Sequence, residues 1–254
     1  MTEQSTESIY DANATSWTRQ DRLLLSDFTA RPAVIEELRP LPGSHVLDLG
    51  CGEGYVARLV AGAGAASVYG IDVSSEMVHN AQASTPEAGA CDLRFAVGDA
   101  ATLTDLPRHT YERVMAVFLF NYLTRAEMTA VMRTVRRALA PGGRFVFTVP
   151  HPCFPYLRPP AEPFYFDTDG AGYFAGVDHT FEGRIWRRDG VAVPVRCVHK
   201  TFGDYFTALA DAGFDRLPKV VELHVTDEHL ALDPGFFGPL SGQPLHVLFR
   251  VEVP

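Results

Sequence analysis

The stretch His45 to Gly54, reading HVLDLGCGEG, constrains this chain more than any other. His45 to Leu49 has the Val and Leu content of a buried parallel strand, and glycines follow at alternate positions, Gly50, Gly52 and Gly54. The apolar spacing then turns helical, with Val56, Leu59, Val60 and Ala63 at i, i+3, i+4 and i+7. The glycines therefore sit where a helix N-terminus opens. Without side chains they let a ligand lie against the main chain, facing the free N–H groups of the first helical turn.

Such turns serve dinucleotides and other adenosine ligands alike. A dinucleotide fingerprint reads GxGxxG and places a pyrophosphate on the helix N-terminus. The spacing here is GxGxG, and Asp48 lies two residues before the first glycine, where a carboxylate repels a pyrophosphate and suits an ammonium group. A cationic amino-acid end on an adenosine ligand fits better, with a dinucleotide site and a purely structural glycine turn as the competing readings.

The run D-L-G-C-G-E-G, followed by IDVSSEM from Ile71 to Met77, resembles the class I S-adenosylmethionine-dependent methyltransferases. LAPGGRFVFTVP, from Leu139 to Pro150, resembles them again. The resemblance implies that Asp48 faces the methionine amino group and that Gly50, Cys51, Gly52 and Gly54 wrap the methionine and ribose. It further implies that Asp72 binds the ribose hydroxyls, that Asp99 accepts from the adenine amine, and that Val73, Met77, Gly98, Ala100 and Phe118 complete the cofactor site. On spacing alone, Gly98-Asp99 after a strand reads equally as a turn.

At 254 residues the chain accommodates one α/β domain with insertions. The expected organisation is an N-terminal helical lid at 1–40, a cofactor-binding core at 41–150, an inserted cap at 151–200, and the end of the core at 201–254. Helical spacing is expected from about Ser16 to Pro40, broken near Pro32, with the Tyr10 to Trp17 stretch as the lid proper or, alternatively, a loose terminus. Strands are expected near 67–71, 93–97, 113–120 and 144–149. Ser74 reads as an N-cap, and Thr124/Glu127 and Thr201/Asp204 as capping boxes. Two last strands, near 220–225 and 245–251, can close the sheet. The fold class is α/β, a doubly wound, mostly parallel seven-stranded sheet.

Between Pro150 and Lys200 periodicity fails and aromatic residues crowd together, so this insertion must fold back onto something. The resemblance implies a substrate cap here, with Tyr10, Tyr122, Phe154, Tyr156, Trp186 and His199 as acceptor contacts. His151, in the VPHP turn after the fifth strand, is the expected base, and an imidazole packed structurally in a turn is the competing reading.

A net charge of −9 opposes binding to a phosphate backbone, and no apolar run is long enough to cross a bilayer. The polar N-terminus shows no signal-peptide pattern, so a cytoplasmic location is expected. Four cysteines lack metal-site spacing and read as reduced thiols. FLFNYL and VPHPCF place no carboxylate at the fourth and fifth strand ends, so no catalytic Mg²⁺ is expected. The expected activity is methyl transfer to a small, largely apolar or aromatic acceptor in bacterial specialised metabolism. A non-methylating reaction such as cyclisation, and a non-catalytic cofactor-binding protein, are the alternatives. A homodimer is the assembly left open.

Overall fold

A computed structural model of the chain describes residues 6–19, 21–85 and 89–254; the first five residues of the expected lid lie outside it. In chain order, helices α1 (Thr6–Trp17), α2 (Leu25–Thr29) and α3 (Arg31–Leu38) precede β1 (His45–Leu49), α4 (Tyr55–Gly62), β2 (Ser67–Asp72), α5 (Ser75–Ala83), β3 (Asp92–Val97), β4 (Tyr111–Val117), α6 (Arg125–Ala138) and β5 (Leu139–Pro150). There follow β6 (Phe164–Phe166), β7 (Thr180–Trp186), β8 (Ala192–Val198), α7 (Phe202–Asp211), β9 (Lys219–Leu223), α8 (Asp227–Leu232), α9 (Pro234–Phe237) and β10 (His246–Glu252).

Seven strands form one sheet in the order β3-β2-β1-β4-β5-β10-β9, parallel except for β10, which runs antiparallel to both neighbours. Side chains alternate across it with the strand period of two. Val46, Val146 and Leu248 face a core shared with α3, α4 and α5, whereas Leu47, Phe145, Phe147, Val247 and Phe249 face one shared with α6 and α7. Chain order reverses between β1 and β4, and a crevice opens outside the carboxyl ends of strands at such a switch point.

The local signals for helix starts act as read. Ser74 Oγ accepts from Met77 N, and the Thr124/Glu127 and Thr201/Asp204 boxes are closed in both directions. The N-terminal reading needs correction in one respect, because α1 already spans Tyr10 to Trp17. The break expected near Pro32 is present, at Ala30 between α2 and α3, and Pro32 itself lies in the first turn of α3, where a missing N–H costs no intrahelical bond. The insertion also has order that its sequence does not advertise. β6, β7 and β8 form a three-stranded antiparallel sheet, whose first strand is only three residues long, too short for an alternation to be read. This sheet and α1 enclose a third apolar cluster, including Trp17, Phe164, Phe166 and Val195, over the strand ends.

Candidate active site

The glycine turn is strapped to the end of β2. Gly50 N and Cys51 N donate to Ile71 O at 2.8 and 3.1 Å, and Gly52 N donates to Asp72 Oδ2 at 2.8 Å. Ser74 N donates to the other Asp72 oxygen at 3.0 Å, which fixes the carboxylate and leaves further lone pairs for a ligand hydroxyl. Gly52 has φ +55°, and a Cβ there would meet only Met77 Cε, at 3.6 Å, so its other side is open. Gly54 differs. A Cβ on it would come within 2.7 Å of Phe95 Cζ, so it serves helix-to-sheet packing.

Outside this turn lies a cavity of about 360 Å³. Of the residues read from the sequence as cofactor contacts, Asp48, Gly50, Cys51, Gly52, Asp72, Val73, Met77, Gly98, Asp99, Ala100 and Phe118 all line it. Gly54 does not. Asp99 also serves the turn reading, since its Oδ1 accepts from Ala101 N at 2.9 Å.

Asp48 is 1% exposed, and among the described residues no hydrogen-bond donor reaches its carboxylate. Burial, reinforced by the neighbouring charge of Asp72 and only partly opposed by Arg31, pushes its pKa up to about 8. A cation placed beside it would restore the ionised form. Asp72 is raised as well, by burial, against the backbone N–H bonds of Ser74 and Gly52.

Over the cavity, α1 places Tyr10 in a hydrogen bond to the hydroxyl of Tyr122, and Ser74 Oγ donates to Asp11 Oδ1 at 2.5 Å. The lid is fixed lower down by an ion-pair cluster that the sequence reading missed. Arg19 grips Asp27 with Nε and Nη2 at 2.8 and 2.7 Å and reaches Glu53 of the glycine turn at 3.3 Å. Arg31 adds a 2.8 Å bond to Asp27, and Arg58 a 2.5 Å bond to the far oxygen of Glu53. Asp27 and Arg31 stand four residues apart within the expected lid, but the link from Arg19 to Glu53 of the glycine turn spans 34 residues and leaves no local pattern.

The remaining wall is largely apolar: Leu25, Phe118, Phe164, Phe166, Ile185 and Val195. Phe118, just past β4, is held at φ +60°, a conformation costly for an aromatic residue and characteristic of functional sites. Its ring meets that of His246 edge to face at 5.0 Å. His246 was not read as a site residue. It opens β10 opposite Pro150 of β5, so only the strand pairing brings it to the strand ends.

The structure corrects the expected base. His151 does not line the cavity, and both its ring nitrogens are committed: Nδ1 accepts from Cys153 N at 3.1 Å and Nε2 donates to Glu222 at 2.9 Å. No lone pair is left for an acceptor proton. His199 is likewise structural, donating to Tyr173 O at 2.8 Å and stacked on Phe181, with burial lowering its pKa. Phe154 stacks on Phe164 behind the cavity, Tyr156 packs with Tyr173 and His199, and Trp186 packs on Tyr165. Phe154, Tyr156, Trp186 and His199 are all absent from the cavity wall. Tyr10 and Tyr122 line it, and the cap contributes Phe164, Phe166, Ile185 and Val195 instead.

Comparison with known proteins agrees with this geometry. Residues 46–143 match the methyltransferase domain family, and the sheet superposes on family members. Residues 46–143 are a class I S-adenosylmethionine-dependent methyltransferase domain. The crystal structure of the CcbJ methyltransferase from Streptomyces caelestis shares the fold over 99% of this chain and 100% of its own, with a TM-score of 0.64 and 21% identity. A trans-aconitate 2-methyltransferase of Streptomyces avermitilis is 35% identical over 53% of this chain and 51% of its own. The aklanonic acid methyltransferase DauC of Streptomyces sp. strain C5 is 30% identical over 56% and 66%. The chain spans about half the length of the curated relatives it matches first. The family cofactor, S-adenosylmethionine, suits the residues present: an uncompensated buried carboxylate at Asp48 for its cationic end, an open glycine edge at Gly52, and a fixed carboxylate at Asp72 for its ribose.

Proposed function

We propose that this chain transfers a methyl group from S-adenosylmethionine to an oxygen, nitrogen or carbon nucleophile of a small, largely apolar or aromatic molecule in bacterial specialised metabolism. One observation carries the reading. One cavity has the glycine turn, Asp48 and Asp72 on one wall and Phe118, Phe164, Phe166, Ile185 and Val195 on the other. The cofactor, when bound, supplies an already activated methyl group on a sulfonium. This chain's own residues orient the two partners, with Asp48 and Asp72 on the cofactor side, while the lid and cap exclude water.

The apolar wall favours an uncharged, ring-bearing acceptor, and the net charge of −9 disfavours nucleic acid. Among the described residues no helix is long and apolar enough to cross a membrane. The relatives named for trans-aconitate and aklanonic acid also point to small acceptors. Incubation with methyl-labelled S-adenosylmethionine and a library of small aromatic and terpenoid compounds tests the reading. Label appearing in a compound, and not in protein or nucleic acid, supports it; binding of the cofactor with no transfer across extracts of the source organism counts against it.

A further inference from the structure

We propose that His246 is the hydrogen-bonding anchor of the acceptor, and that the acceptor presents to it a neutral hydroxyl: a phenol, an enol or an alcohol. This deepens the methyl-transfer reading of the same cavity and rests on it.

Three observations meet at this side chain. His246 is 3% exposed, lines the cavity, and has neither ring nitrogen bonded among the described residues. Buried polar groups in native proteins have partners, and a cavity wall is where a ligand can supply one. Next, the ring is held by its neighbours, edge to face with Phe118 at 5.0 Å and 5.9 Å from Phe164, so its donor and acceptor directions are set before a ligand arrives. Finally, two charged or hydroxyl groups of the cavity are already engaged, Arg31 with Asp27 and Ser26 and Tyr122 with Tyr10, whereas His246 joins Asn121 Oδ1 and Trp17 Nε1 as lining groups without a partner and alone among them offers both a donor and an acceptor.

The chemistry of the ring selects the ligand. A neutral imidazole offers one N–H and one lone pair, and a hydroxyl is the small group that answers either or both. A carboxylate could answer only the N–H and an ammonium only the lone pair, and either would bring an uncompensated charge onto an apolar wall. Burial, reinforced by the positive charge of Arg31, lowers the pKa to about 3, so the ring stays neutral throughout the working range. Position in the fold supports the same assignment, since His246 faces Pro150 across the β5–β10 pair at the carboxyl end of β5.

The test uses the chain saturated with S-adenosylhomocysteine and three probes of one shape: naphthalene, 2-naphthol and 2-naphthoate. Calorimetry should show 2-naphthol bound about three- to tenfold more tightly than either of the others, the range expected for one net hydrogen bond. His246→Phe, which preserves the ring packing, should bring the ratio of 2-naphthol to naphthalene to about one, while His246→Gln, a donor and acceptor, should recover part of it. S-adenosylhomocysteine affinity should be unchanged in both variants. Nitrogen NMR of the wild-type imidazole gives a second readout free of folding effects, in which 2-naphthol and not naphthalene moves the His246 resonances. No hydroxyl preference in the wild type, a preference surviving in folded His246→Phe, or unmoved resonances would each overturn the proposal. Loss of S-adenosylhomocysteine binding in folded His246→Phe would also overturn it, by placing the ring on the cofactor. If the wild type itself fails to bind S-adenosylhomocysteine, it is the methyl-transfer reading that falls, and this one with it.

Discussion

The hydroxyl of Tyr10 donates to the hydroxyl of Tyr122, and their rings meet edge to face with centroids 5.4 Å apart. One residue lies on α1 and the other just beyond β4, so this contact joins the lid to the sheet across the cavity. Tyr10→Phe keeps the ring and removes the donor. Unfolding stability should fall by about 0.5–1.5 kcal/mol, and cofactor dissociation should quicken several-fold, as stopped-flow displacement can measure. An unchanged dissociation rate would mean that α1 does not retain the ligand.

Asp48 makes a prediction with a sign. In the cofactor-free protein its pKa is raised to about 8, so between roughly pH 4, where the unfolded carboxyl titrates, and pH 8 the folded state holds the extra proton. Stability should therefore decline as pH rises through that window and level off above it. Cofactor affinity should move the other way, rising with pH towards 8 as a cation displaces the proton. Asp48→Asn should raise the melting temperature of the free protein at pH 7.5 by about 2–6 °C and weaken cofactor binding more than tenfold. Calorimetry in two buffers of different ionisation heat should find proton release in the wild type and none in the variant.

How far the site could be read from sequence depends on the range over which each feature is encoded. The glycine turn, Asp72 and the caps at Ser74 and Thr124 are local patterns of a few residues, and the structure places them at the cavity or at the helix starts. Residues brought in by long-range pairing were misjudged. His151 has a conspicuous neighbour in Pro152 and a position beside the strand ends, but its partner Glu222 lies on β9, 71 residues away. His246 sits inside the apolar run of β10 and gains its place only when β10 inserts beside β5. Nor does any local signal reveal that Phe118 takes a positive φ.

The buried cluster around Asp27 should matter more to the lid than any surface pair. Burial alone would raise the Asp27 pKa, but Arg31 and Arg19 outweigh it and hold it below the usual carboxylate range. Its contribution is complete above pH 4 and is lost as pH falls through the lowered value. Asp27→Ala leaves Arg19 and Arg31 without their shared partner and should cost about 3–5 kcal/mol in urea unfolding. A loss below 1 kcal/mol would mean that water already reaches the cluster.

Gly52→Val separates ligand space from folding. The φ of +55° makes a branched residue strained, at a cost of about 1–3 kcal/mol, while the protein leaves an added Cβ in ordinary contact with Met77 alone. Cofactor affinity should fall at least 100-fold, more than the stability loss alone would give. Equal losses in calorimetry and thermal unfolding would assign this glycine to the turn only.

The central claim is that this cavity holds S-adenosylmethionine, with the Asp72 carboxylate accepting from its ribose. Titration calorimetry of wild-type and Asp72→Ala protein with S-adenosylmethionine tests it. The account predicts one-to-one binding by the wild type and an affinity at least tenfold weaker in the folded variant, since each lost charge-assisted bond contributes ~1.5–3 kcal/mol. No binding by the wild type, or equal binding by both proteins, would contradict it.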